Sequence, residues 1–75
     1  MNYYEIGQRI RKIRKAHGLS QEELAEKIGI STTHMSHIET GNTKLSLPVL
    51  VSIASVLEVQ TDDLLFEQVN ASRSN

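Results

Sequence analysis

The sequence predicts an all-α fold, a compact set of about five short helices around one core. Three observations carry that expectation. Apolar residues recur at helical spacing, as in Ile6, Ile10 and Ile13. Capping residues stand before each apolar run, and glycines close several of them. Strand signals are weak throughout.

The elements follow in order. Helix 1 is expected from Tyr3 to His17, capped by Asn2, with Glu5 at the position of a capping-box partner and Gly18 supplying the positive φ that ends it. Helix 2 opens on the capping box Ser20/Glu23, buries Leu24, Ala25 and Ile28, and stops at Gly29. Ser31 caps helix 3, which ends near Thr40 before Gly41. Residues 41–46 form a loop. Ser46 caps helix 4, whose first turn tolerates Pro48 and which runs to Leu57. Thr61 is expected to cap helix 5, with Asp62 and Asp63 favourable at its N-terminal dipole. The expected core is Ile6, Ile10, Ile13, Leu19, Leu24, Ile28, Ile30, Met35, Ile38, Leu47, Leu50, Ile53, Ala54, Leu57 and Leu64. Residues 1–68 read as one domain and 69–75 as a frayed polar tail.

Composition narrows the function. Seventy-five residues make one domain. There is no cysteine, hence no disulfide framework or thiolate metal site. No apolar run approaches the roughly 20 residues that span a bilayer. The N-terminus lacks the apolar stretch of a secretion signal, so a cytoplasmic protein without membrane contact is expected. Net charge is -1, but it is polarised. Residues 1–18 carry five cations (Arg9, Arg11, Lys12, Arg14, Lys15) against Glu5 alone. Residues 45–75 carry Arg73 against Glu58, Asp62, Asp63 and Glu67. A local basic patch, not a basic total, is what phosphate contact needs.

The most informative stretch is QEELAEKIGISTTHMSHIET, residues 21–40. Two helices meeting near a right angle need a small residue at the crossing and a turn residue of positive φ. Ala25 and Gly29 supply them. On a helical wheel Met35 and Ile38 centre the buried face of helix 3. Thr33, Ser36, His37 and Thr40 then point outward, with Thr32 to one side. A helix with a small, polar, hydrogen-bonding outer face suits the major groove of DNA. Thr32, Thr33, Ser36 and His37 are the candidate base readers. A threonine hydroxyl donates or accepts and its methyl meets the thymine methyl; a protonated His37 favours guanine acceptors.

The segment Leu19–Leu64 resembles the phage-repressor/Cro-type helix-turn-helix family, also called lambda-repressor-like or Xre-type. Leu19, Ser20, Gln21, Leu24, Ala25, Gly29, Ile30, Ser31, Met35, Ser36, Ile38, Glu39 and Gly41 carry the likeness, extended through Leu47, Leu50, Ala54 and Leu57 to TDDLL at 61–65. The resemblance implies that Gln21 bonds a phosphate and braces the recognition helix, and that Thr32, Thr33 and His37 meet bases. It implies that Asn42, Thr43 and Lys44 touch the backbone, and that Arg14 and Glu39 form a partly buried salt bridge. Two departures stand out. Glu58 occupies a helix end where the family often has Gly, Asn or Asp, and Thr40 replaces a frequent basic residue.

Each reading has a plainer competitor. The outer face of helix 3 resembles any solvated face when taken alone. His34 and His37 have metal-ligand spacing but no third ligand nearby. No nucleophile elbow, phosphate-cradling glycine loop or acid–base pair points to an enzyme, and no cofactor, metal or small-molecule ligand is expected. The expectation is a small transcriptional regulator that binds double-stranded DNA, with helix 31–40 in the major groove. Arg9, Arg11, Lys12, Lys15 and Lys44 would supply phosphate contacts. Leu45, Val49, Val51, Leu65, Phe66 and Val69 are surplus apolar residues that would either partly complete the core or form a homodimer interface on a palindromic operator. The competing class is a protein-interaction module of the same fold, such as an antitoxin or adaptor.

Overall fold

A computed structural model describes residues 1–67. The tail at 69–75, Val69 included, lies outside the described residues. Five helices follow in order: α1 (Tyr3–Ala16), α2 (Gln21–Ile28), α3 (Thr32–Thr40), α4 (Leu47–Leu57) and α5 (Thr61–Leu65). α1 packs on α3, α4 and α5; α2 packs on α3 and α4.

Local chemistry sets most boundaries. The Asn2 side chain accepts the Glu5 N–H at 3.0 Å. The Glu5 carboxylate turns to Arg9 at 3.9 Å instead of back to the cap. α1 ends at Ala16, one residue short of the expectation, because His17 already leaves helical geometry and Gly18 takes φ 72°. At α2, Ser20 accepts the Glu23 N–H at 3.0 Å and the Glu23 carboxylate accepts the Ser20 N–H at 2.8 Å. That box holds the Glu23 carboxyl below its ordinary value, the Ser20 main-chain N–H being the chief cause and its side chain the next. A lowered carboxyl stabilises the fold above the ordinary carboxylate range, and the contribution disappears as pH falls through the lowered value.

α5 differs from expectation at its start. Gln60 is the cap and Thr61 the first helical residue. The Asp63 carboxylate accepts the Gln60 N–H at 2.9 Å, which places the first turn one residue earlier.

The core consists of Ile6, Ile10, Leu24, Ala25, Met35, Ile38, Leu50, Ile53, Ala54, Leu57 and Leu64. Ile13, Leu19, Ile28 and Ile30 pack against it while partly exposed. Leu47 is a correction, since it is 69% exposed. It sits in the first turn of α4, and Leu45 in the preceding loop packs on the core instead.

Glu58 closes α4 at φ 59°, in the left-handed region. A side chain there costs about 1–2 kcal/mol. Glu58→Gly relieves that cost but loosens the unfolded chain by about 0.4–1 kcal/mol. The expected net gain is about 0.5–1 kcal/mol, read as a higher urea midpoint; a lower one would refute the strain.

Candidate nucleic-acid interface

The turn between α2 and α3 is built on Gly29 at φ 79°. No atom lies within 4 Å of where its Cβ would be, so backbone conformation, not space, calls for glycine. The Ile30 N–H donates to the Ala25 carbonyl at 3.0 Å and draws the chain across. Ser31 accepts the His34 N–H at 3.0 Å and starts α3.

α3 then divides into two faces. Met35, Ile38 and Glu39 are buried. Thr32, Thr33, His37 and Thr40 are exposed, and Ser36 is half-buried. The Thr40 hydroxyl donates back to the Ser36 carbonyl at 2.9 Å, so it is engaged within its own helix.

The buried face hangs on Glu39, which is 1% exposed. Arg14 Nε donates to Glu39 Oε2 at 2.6 Å and Nη2 to Oε1 at 3.0 Å, a two-pronged ion pair between α1 and α3. Arg14 Nη1 also donates to the Leu19 carbonyl at 2.8 Å. Gln21 Nε2, at the start of α2, donates to Glu39 Oε1 at 2.9 Å. Helices α1 and α2 thus both grip one carboxylate on α3. Charge-assisted bonds of this kind are about twice as strong as neutral ones.

Two contributors escaped the sequence reading. Gln8 Nε2 donates to the Glu39 main-chain carbonyl at 2.9 Å, satisfying one of the acceptors a helix end leaves open. Gly7 lets α1 lie directly on α3, since an added Cβ would stand 2.3 Å from the Ile38 oxygen and 2.5 Å from the Glu39 oxygen. The available signal was a glycine inside a strong helix pattern, which costs about 1 kcal/mol against alanine and so needs a packing reason.

The cations of α1 separate. Arg9 is half-buried and engaged within the fold. Its Nη1 donates to the carbonyls of Leu64 and Leu65 at 3.3 and 3.2 Å, capping the C-terminal end of α5. Lys12 lines the α1–α5 groove beside Asp63 and Glu67. Arg11 and Lys15 are exposed, as are Asn42 and Lys44, with Thr43 half-buried. The Asn42 N–H donates to the His37 carbonyl at 2.8 Å, which ties this loop to α3. Among the expected dimer residues, Leu45, Val49 and Leu65 are partly buried against the core. Val51 and Phe66 are 50% and 58% exposed.

A short helix presenting small polar groups, held from behind by an ion pair and crossed at a glycine turn, makes this a helix-turn-helix module. The chain belongs to the Xre-type helix-turn-helix family: the family model described as Helix-turn-helix matches residues 10–64. It is 42% identical over 64 residues to the HTH-type transcriptional regulator SinR of Bacillus subtilis, covering 84% of this chain and 58% of that protein. The chain therefore spans little more than half the length of that relative. The crystal structure of the master regulator for biofilm formation, SinR, in complex with DNA is similar at TM-score 0.76 and 42% identity, covering 81% of this chain and 98% of that one. The restriction-modification controller protein C.AhdI of Aeromonas hydrophila is similar at TM-score 0.79 and 34% identity, covering 83% and 94%. No described helix is long and apolar enough to cross a membrane.

Proposed function

We propose that this chain binds double-stranded DNA sequence-specifically as the reading module of a transcriptional regulator, with α3 in the major groove. The observation that carries this is the outer row of α3, Thr33 and His37 exposed over a rear face locked by Arg14 and Glu39. A row of short hydrogen-bonding side chains on a rigid helix meets base edges without first ordering long side chains. The likeness to a regulator solved with DNA supports the same reading. Thr32, Thr33, Ser36 and His37 read bases. Gln21, Asn42, Thr43 and Lys44 fix the docking register, and Arg11, Lys15 and Lys44 supply the salt-dependent attraction.

Thr33→Ala is expected to lose about 1–3 kcal/mol on a duplex selected for tight binding and almost nothing on random duplex. Gel shifts on both DNAs across a salt series measure it. Equal loss on both would refute Thr33 as a reader, and affinity indifferent to salt would refute the DNA reading itself.

The same reading includes a two-fold dimer on a palindrome. α4 carries no charged residue, and its Leu47 and Val51 stand exposed one turn apart. An uncharged face can meet its own copy without like-charge repulsion. Val51→Asp is expected to abolish self-association in analytical ultracentrifugation. A wild-type chain that stays monomeric on a palindromic duplex would contradict the dimer.

A further inference from the structure

Arg11 and Lys15, already assigned to the salt-dependent attraction, stand in a polar row of α1 with two residues not yet accounted for in DNA binding, Tyr4 and Gln8. Tyr4, Gln8, Arg11 and Lys15 follow one another at i, i+4, i+7 and i+11, the spacing of a single helix flank. No carboxylate of α1 falls on this flank; Glu5 pairs instead with Arg9 on the other side. Tyr4, Arg11 and Lys15 are exposed.

The row is anchored beside α3. At one end, an added Cβ on Gly41 would lie 2.6 Å from Tyr4 Cα, so Tyr4 stands against the chain that leads into Asn42, Thr43 and Lys44. In the middle, Gln8 is tied to the Glu39 carbonyl at 2.9 Å. At the other end, Lys15 lies at the close of α1, just before the turn that leads to Gln21. The row therefore joins the loop after α3 to the start of α2. Its length, eleven residue steps of helix from Tyr4 to Lys15, is about 16 Å, against about 3.4 Å of helix axis per phosphate along one DNA strand.

We propose that this flank is a second phosphate-binding strip, an inference that rests on the DNA reading above. Arg11 and Lys15 pair with backbone phosphates, the Tyr4 hydroxyl donates to another, and Gln8 is a positioning residue that registers the strip against α3. The adjoining flank, toward α5, is occupied differently. Arg9 caps α5, and Lys12, although exposed, lines a groove that also holds the carboxylates Asp63 and Glu67, a charge that disfavours a phosphate there.

The experiment compares wild-type protein with Arg11→Gln, Lys15→Gln, Tyr4→Phe and Lys12→Gln on a selected duplex and on random duplex across a salt series. Arg11→Gln and Lys15→Gln are each expected to lower the slope of log affinity against log salt by about one, equally on both DNAs. Tyr4→Phe is expected to weaken binding about threefold or more with the slope unchanged, because a neutral donor releases no counterion. Lys12→Gln is expected to leave the slope alone. Wild-type slopes retained in Arg11→Gln and Lys15→Gln would overturn the strip while leaving the DNA reading intact. A Lys12→Gln effect equal to that of Arg11→Gln would overturn the flank assignment. Full affinity in Tyr4→Phe would remove Tyr4 from the strip. A wild-type chain that binds neither duplex would overturn the reading beneath it, and the strip with it.

Discussion

Glu39→Ala is expected to cost about 3–5 kcal/mol of folding stability, a large share of what a domain of this size possesses. The substitution leaves Arg14, itself 5% exposed, as a buried guanidinium facing no carboxylate. It also strands the Gln21 amide, whose partner is Glu39 Oε1. Desolvation of the remaining charge, not loss of the pair's attraction, is the larger part of the cost. The double variant Arg14→Met/Glu39→Leu tests that explanation. An apolar pair of similar volume removes both charges together and is expected to recover most of the loss. Urea denaturation of the three proteins gives the comparison. A single-variant loss under about 1 kcal/mol would place the pair among weak surface bridges.

Gly7→Ala is expected to destabilise by about 2 kcal/mol, although helix propensity alone argues for a gain of about 1 kcal/mol. The two effects have opposite signs, so the experiment decides between them. The new methyl would meet the Ile38 oxygen at 2.3 Å, the Glu39 oxygen at 2.5 Å and the Glu39 carbon at 2.7 Å. All three are backbone atoms and cannot rotate aside. α1 must then lift away from α3, stretching the Gln8–Glu39 bond as it goes. The thermal or urea midpoint of Gly7→Ala measures the sign, and a rise would mean that the crossing has slack.

The local elements were legible in the sequence because their causes are local. Ser20 with Glu23, Ser31, Ser46, Gly29 and Gly41 act within four residues of themselves, and each helix they bound stands where their chemistry places it. The outer face of α3 was legible for the same reason, since Met35 and Ile38 orient it by periodicity alone. Glu58 stood out by resemblance as a departure at a helix end, and the structure gives it a positive φ.

Other features were decided between elements. Periodicity groups Leu47 with Leu50 and Ala54, yet the core ends before the first turn of α4 and takes Leu45 instead. Charge counting treats Arg9, Arg11, Lys12 and Lys15 as one basic set. The docking of α5 on one flank of α1 claims Arg9 and makes Lys12 share a groove with Asp63 and Glu67, while Arg11, Lys12 and Lys15 all stay exposed. Nothing near Gly7 in the chain shows that α3 lies against it. The sequence by itself determined helix number, most caps, the turn and the outer face of α3, because hydrogen bonds to near neighbours and 3.6-residue periodicity act along the chain. Tertiary structure alone decided which cation is tied to another helix, which leucine is covered and where backbones touch. Those outcomes depend on contacts between residues 31 or more positions apart, such as Gln8 with Glu39 and Arg9 with Leu64, which no local pattern encodes.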